Sequence, residues 1–488
     1  MADLRPKSVF DYFALINKVP RPSKHEEKLI ALLQQFAAEN KLECNTDSTG
    51  NVIIRKKATP GMEQRETVIL QSHMDMVCEK DTDTKINFTT DSIQTYTDGD
   101  WLRARGTTLG ADDGIGIAIE MALLTATDIE HGPLECVFTR DEETGLSGAK
   151  GMQTGFMTGK YLINLDSEDE GEIFIGCAGG VGTVIDFTYR KEKPQTGIVA
   201  MKICIDRLTG GHSGDDINKN RANANKLLAR ILYQLMQRYG IGVASLNGGN
   251  LSNAIPRNAE AVITVDESLK HDIRIAFNII STELEAEYHK EEPDMHFTME
   301  SADIPDNIID SDTAYRIVAS LQAVHNGVLE WSQDIPGLVE TSSNLASIRM
   351  EGEDKVRIVT SQRSSIDSQK LDMQETIAAT FRLAGADITF TEGYSGWTPN
   401  PDSVMLKTAV ESYKAIFHRT PVVRAIHAGL ECGMFSEKYP HLDMISIGPT
   451  LRGVHSPDER LLIPTVQMVW DHLTDILRRI PEKQDARK

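Results

Sequence analysis

Three carboxylates stand side by side in "TRDEETGLSG", residues 139–148: Asp141, Glu142 and Glu143. They directly follow an apolar run, "LECVF". Adjacent carboxylates repel one another and gain nothing inside a core. Either they sit in water at a loop tip or something positive holds them. Other short stretches carry the same residue types. "SHMDM" sets His73 and Asp75 two apart at the end of a strand-like run, where i and i+2 share one face. "LGADDGIG" brackets Asp112 and Asp113 with glycines at a helix start, where N-capping is the plain alternative. "NLDSED" contributes Asp166, and "SIGPTLRGVHSP" contributes His455. Each stretch alone is ordinary. Imidazoles and carboxylates together, with no cysteine among them, suit divalent zinc, manganese or cobalt. One carboxylate shared by two ions, with two further ligands on each, is the pattern of a two-metal hydrolase.

Residues so far apart in the chain need a scaffold that gathers them. In open α/β sheets, ligands bind beyond the carboxyl ends of the strands. The spacing predicts amphipathic helices over 8–19 and 25–40 and a buried helix over 114–126. It predicts strands in "ETVILQSHMDMV", "PLECVFT" and "KYLINLD", with the candidate residues at their ends. This is an α/β layer with a mostly parallel sheet and helices on both faces. From about Val184 the pattern changes to strand, long helix, strand, repeated as two βαβ-type rounds. After the Gly/Pro-rich "GYSGWTPNPDS" it returns to helix, strand and a closing helix at 464–479. We therefore expect a discontinuous metal-binding catalytic domain, 1–185 and 398–488, and an inserted α+β lid domain, 186–397.

A chain of 488 residues exceeds one comfortable core, in keeping with two domains. A net charge of −21 argues against nucleic acid or an anionic membrane as partner. No apolar stretch approaches the roughly 20 residues that span a bilayer, and the N-terminus does not read as a signal peptide. The six cysteines are scattered without a CxxC pair, as expected of reduced thiols in a cytoplasmic protein.

"SHMDMV", "GTTLGADDGIG", "FTRDEETG", "LINLDSE", "TGGHSG" and "GVHSPDE" together resemble the M20 metallopeptidase family, in order and over nearly the whole chain. The long inserted block and the variant "LGADDG" look most like its bacterial aminoacyl-histidine dipeptidase branch. The resemblance implies two metal ions, zinc first with manganese or cobalt as alternatives. His73, Asp112 and Asp166 would hold one; Asp112, Glu143 and His455 would hold the other. Asp75 would orient the His73 ring through its far N–H. Glu142 would be the general base toward a water activated by the metals, and Asp141 a loop or cap residue. His212, in "LTGGHSG", would stabilise an oxyanion, from its own chain or a partner's. Asn253 would contact substrate, and Arg363 would take its terminal carboxylate. His427 and Glu431 would line the pocket, Glu431 receiving a substrate amino group, unless they cap or pack. The implied activity is hydrolysis of unblocked dipeptides, including Xaa–His. The alternatives are an M20-type deacylase or deacetylase of N-acyl amino acids, and a binding protein that has lost catalysis. A homodimer is among the expected assemblies.

Overall fold

A computed structural model describes residues 4–483. The chain forms two compact units. The first runs to Gly176 and resumes over Trp397–Ala425 and from Leu430; the second comprises Cys177–Gly396 and Ile426–Gly429. The first boundary falls earlier than the expected 185, because the strand Gly179–Thr188 is an inner member of the second unit's sheet.

The first unit is built on an eight-stranded sheet. Its order is Glu43–Thr46, Val52–Lys56, Leu134–Thr139, Val68–His73, Tyr161–Asn164, Asp443–Ser446, Glu172–Cys177, Val422–Ile426. The four central strands, from Leu134–Thr139 to Asp443–Ser446, are mutually parallel. The flanking pairings that involve Glu43–Thr46, Val52–Lys56 and Glu172–Cys177 are antiparallel. Val68–His73, Leu134–Thr139 and Tyr161–Asn164 are buried along their whole length. A strand buried on both faces needs cover on both, which is why these segments read as near-continuous apolar runs. The helix Ala111–Thr125 packs on Val68–His73, and the helix Lys7–Ile16 packs on that helix. Val404–Phe417 and Ile463–Arg479 pack on each other. Because the central strands are parallel, Thr139, His73, Asn164 and Ser446 all end at one edge of the sheet.

His455 departs from the sequence reading. The last central strand ends at Ser446. The chain then enters a separate four-stranded antiparallel sheet, ordered Leu451–Arg452, Arg460–Leu462, Trp101–Ala104, Thr95–Asp98. His455 rides on the hairpin loop between the first two strands, with φ 59°.

The second unit holds a nine-stranded sheet whose assigned pairings are all antiparallel. The βαβ rounds are present, but each is split. Ile198–Asp206 and Gly242–Gly248 point the same way and are joined by the helix Ala224–Tyr239, yet Ala259–Asp266 lies between them, antiparallel to both. Lys355–Ser364 and Asp387–Phe390 are likewise joined by the helix Asp367–Leu383 and separated by Gly179–Thr188. Local pattern fixes the direction of a strand but not which strand slides in beside it. Met201, Ile203 and Ile205 face a core that includes Leu228 and Leu232, Ile273 and Phe277, Ile317 and Leu321, and Ile377 and Phe381. Alternate residues Lys202, Cys204 and Asp206 point to the other face. Among the described residues no helix is long and apolar enough to cross a membrane, and no cysteine is disulfide-bonded.

Candidate metal and active site

The strand edge of the first unit gathers the expected ligands around Asp112. Its two carboxylate oxygens face different imidazoles. Oδ1 lies 2.9 Å from His73 Nε2, and Oδ2 lies 3.1 Å from His455 Nε2. Asp166 Oδ1 is 3.4 Å from His73 Nε2, and Glu143 Oε2 is 3.0 Å from His455 Nε2. His73, Asp112 and Asp166 therefore form one cluster, His455, Asp112 and Glu143 a second, and Asp112 belongs to both. Ligand atoms of His73, Asp112 and Glu143 fall within 4.8 Å of one another.

The charges explain what the cluster calls for. Burial alone would lower the pKa of His73, yet Asp166 and Asp112 hold it well above the ordinary value. Hydrogen bonds to Asp112 and Glu143 push His455 up to about 11. Burial raises Asp166 to about 7 against the pull of His73. Burial, with Asp166, Glu431 and Glu143 nearby, also lifts Glu142 well above the carboxylate range. So many carboxylates in one buried place demand positive charge. Protons on two imidazoles meet part of that demand, and divalent cations would meet it more fully. Glu143 Oε1 is buried without a hydrogen-bond partner, as a ligand oxygen kept for a metal would be. The oxygen and nitrogen donors present suit zinc, manganese and cobalt.

Neighbouring residues divide the work. Asp113 is the cap: its Oδ1 accepts the N–H of Gly116 at 3.1 Å, leaving Asp112 for the cluster. Asp141 likewise secures its own loop, accepting from the hydroxyls of Thr144 and Ser147. Asp75 does more than expected. Its Oδ1 is 3.4 Å from His73 Nδ1. The same carboxylate accepts the backbone N–H of Glu142 and Glu143 and the hydroxyl of Ser23.

Glu431 also lies in the first unit. Its Oε2 accepts from Gln71 Nε2 at 2.6 Å and Thr139 Oγ1 at 2.7 Å, while Oε1 is buried and unpartnered. Burial raises its pKa to about 8. An ammonium group would suit that free oxygen.

His212, Asn253, Arg363 and His427 belong to the second unit. His212 sits on the short strand Gly211–His212, paired with Ala254–Ile255. Its Nδ1 accepts from the N–H groups of Gly214 and Asp215 at 3.3 and 3.2 Å. Asp215 Oδ2 lies 3.4 Å from the same Nδ1, so the two amides favour a bare Nδ1 and the carboxylate a protonated one. The Asn253 carbonyl accepts the N–H of Ser213 at 2.8 Å. Arg363 points Nε at Ser213 Oγ, 3.4 Å away, and donates from Nη1 to Tyr394 Oη at 2.9 Å. His427 meets Ser342 Oγ at 2.7 Å through Nε2, and Ser342 is the strand partner of Arg363. His427 and Glu431, four residues apart in sequence, thus lie in different units.

Residues 69–479 match the model for peptidase family M20/M25/M40. The chain belongs to that family. The family match reaches into both units and includes every candidate site residue. The cytosol non-specific dipeptidase of Escherichia coli (strain K12) is 40% identical over 483 residues, 99% of each chain. The crystal structure of aminoacylhistidine dipeptidase from Vibrio alginolyticus superposes with a TM-score of 0.93 at 41% identity, covering 99% of this chain and 98% of that one. The aminopeptidase PepT of Bacillus cereus, at 16% identity and a TM-score of 0.57 over 98% and 99% of the two chains, shares the fold.

Sequence reasoning passed over Arg21, Ser23 and Glu459. Glu459 stands in the quoted "GVHSPDE" and Arg21 in "VPRPS". A charged residue flanked by prolines beside a helix start was the signal available for Arg21.

Proposed function

We propose that this M20 peptidase hydrolyses unblocked dipeptides, aminoacyl-histidines among them, with two divalent metal ions. The observation that carries the reading is the full-length likeness, near 40% identity, to two proteins named as dipeptidases. His73, Asp112 and Asp166 would hold one ion; Asp112, Glu143 and His455 would hold the other. Zinc is the first choice, with manganese or cobalt as alternatives. Bound there, the ions would polarise the scissile carbonyl and acidify water. Glu142 takes a proton from the attacking water as its oxygen joins the carbonyl carbon, then delivers that proton to the leaving nitrogen as the C–N bond breaks. The water's second proton goes with the amine as well, so the products are a carboxylate and an ammonium group. His212 Nε2–H would donate to the oxyanion, Arg363 would pair with the substrate's terminal carboxylate, and Asn253 would add a polar contact. Glu431 Oε1 would receive the α-amino group. The first unit would act as the catalytic domain and the second would supply substrate recognition. The name of the Escherichia coli relative supports a cytoplasmic location.

The test is direct. Protein given Zn²⁺, Mn²⁺ or Co²⁺ is assayed on Ala–His and on N-acetyl-alanine. Faster release from Ala–His is expected. Faster deacetylation would replace this reading with the deacylase one.

A further inference from the structure

We propose that Arg21 and Glu459 are positioning residues that set the metal ligands in register by both bonding to the backbone of Gly110, Glu459 at its N–H and Arg21 at its C=O. The proposal rests on the assignment of His73, Asp112 and His455 as metal ligands. Each acts through backbone groups rather than through a ligand side chain.

Glu459 is 2% exposed. Its carboxylate accepts a fan of backbone N–H groups: Leu109 at 2.7 Å and Gly110 at 3.1 Å on Oε2, Ala111 at 2.8 Å and Asp112 at 3.4 Å on Oε1. These are the residues that lead into and include the shared ligand. Glu459 closes the same hairpin loop that carries His455, four residues earlier. One carboxylate therefore ties the loop of one metal ligand to the backbone of another. Charge-assisted bonds of this kind are stronger than neutral ones and fix direction as well as distance.

Arg21 is 1% exposed. Its Nη1 donates to the carbonyls of Met74 and Asp75 at 3.1 and 2.8 Å, directly after His73. Its Nη2 donates to the Gly110 carbonyl at 2.5 Å. The peptide units of Gly110 thus bind Glu459 through N–H and Arg21 through C=O. The glycines around the guanidinium make room for it. A Cβ on Gly110 would come within 2.6 Å of Nη2, and one on Gly114 within 2.5 Å. Gly110 also has φ 68°, where a side chain is strained. Arg21 accordingly holds the end of the His73 strand against the turn that presents Asp112.

The arrangement matters because Asp112 must offer Oδ1 to one cluster and Oδ2 to the other. A small rotation of its backbone would spoil both. Groups that orient ligands typically account for about 10–100-fold in metal affinity or activity. A lysine at position 21 could not fork to the strand end and the turn together.

The experiment compares E459Q and R21K with the parent and with E135Q. Glu135 is the control: a buried carboxylate in the same unit that binds Arg55, Thr158 and Gly159. Metal-free protein is titrated with Co²⁺ alone, followed by its visible absorption bands and by competition with a chromophoric chelator. Thermal melting of the metal-free proteins is measured alongside. We expect E459Q and R21K to bind Co²⁺ about 10–100-fold more weakly, with altered bands, and at saturating Co²⁺ to lose kcat with little change in KM. E135Q should melt lower yet bind Co²⁺ as the parent does. Parent-like affinity and bands in E459Q and R21K, with only melting affected, would overturn the proposal. Should E459Q fail to fold, E459D carries the same test, since a shortened carboxylate keeps the charge but cannot hold the four amides and the hairpin at their present separation. A loss of dipeptide hydrolysis with unchanged Co²⁺ binding would count against this clamp without touching the activity assignment.

Discussion

The carboxylate of Asp75 accepts the backbone N–H of Glu142 at 2.9 Å. The carboxylate following one strand thereby fixes the Asp141–Glu143 loop that follows its neighbour. Burial would raise the Asp75 pKa, but contacts with His73, Ser23 and the Glu142 N–H bring it down to about 2. Asp75→Asn would turn an NH₂ group toward donors. We expect kcat to fall by about 10–100-fold while both metals remain bound. Metal analysis beside steady-state kinetics checks this; loss of the His73 cluster's metal instead would mean that orienting the His73 ring is Asp75's main task.

Glu142→Gln separates base from ligand. The amide cannot take a proton, so kcat should fall by at least about 10²–10⁴-fold with metal content near normal. Asp112→Ala should do the reverse and strip both ions, because both clusters depend on that one carboxylate. Metal-depleted Glu142→Gln protein would show that Glu142 is itself a ligand.

His212→Ala should lower kcat by about 10²–10³-fold and leave KM nearly alone, since an oxyanion partner exists only near the transition state. The side chain is 34% exposed, so melting should hardly change. A kcat close to the parent's would make His212 a turn residue and nothing more.

The loop Asp141–Glu143, the shared Asp112 and the sheet beneath them were legible because parallel strands place their ends together and glycines mark the turns. Other features were hidden for physical reasons. Asp112 and Asp113 have identical side chains; only backbone angles (ψ 109° and 34°) decide which caps and which faces the cluster. Arg21 binds carbonyls 53, 54 and 89 residues away, and Glu459 binds amides some 350 residues before it. Backbone partners leave no trace in residue type. The position of His427 was hidden too, because Ile426–Gly429 joins the second unit although first-unit residues flank it on both sides.

His427 gives a pH dependence. Burial first, then the Arg363 charge, lower its pKa to about 3, against about 6.5 in an unfolded chain. The folded state thus requires the neutral ring. This contribution is fully present above pH 6.5 and is lost as pH falls from 6.5 toward 3, at roughly 1.4 kcal/mol per unit. Between pH 7 and pH 4.5 the second unit should lose about 2–3 kcal/mol through this group. His427→Gln should remove that part of the slope, read by amide exchange in the strand Val339–Glu351 in parent and variant. Equal slopes would show that His427 titrates normally.

Arg363 should make the enzyme measure the carboxyl end of its substrate. The guanidinium is 6% exposed and has Tyr394 Oη and Ser213 Oγ as neutral partners, which leaves its charge without a paired carboxylate in these bonds. A substrate carboxylate would supply one in a charge-assisted pair. Replacing that carboxylate with an amide leaves a desolvated cation poorly paired, at about 1–3 kcal/mol, so kcat/KM on Ala–His-amide should be about 10–100-fold below that on Ala–His. In Arg363→Gln the absolute rate on Ala–His should fall and the preference over the amide should shrink toward unity, because both substrates then meet a neutral group. Ala–His–Ala, whose carboxylate stands one residue too far from the scissile bond, should behave like the amide in the parent. Equal parent rates on Ala–His and its amide would remove Arg363 from substrate recognition and leave it as a link between Ser213 and Tyr394.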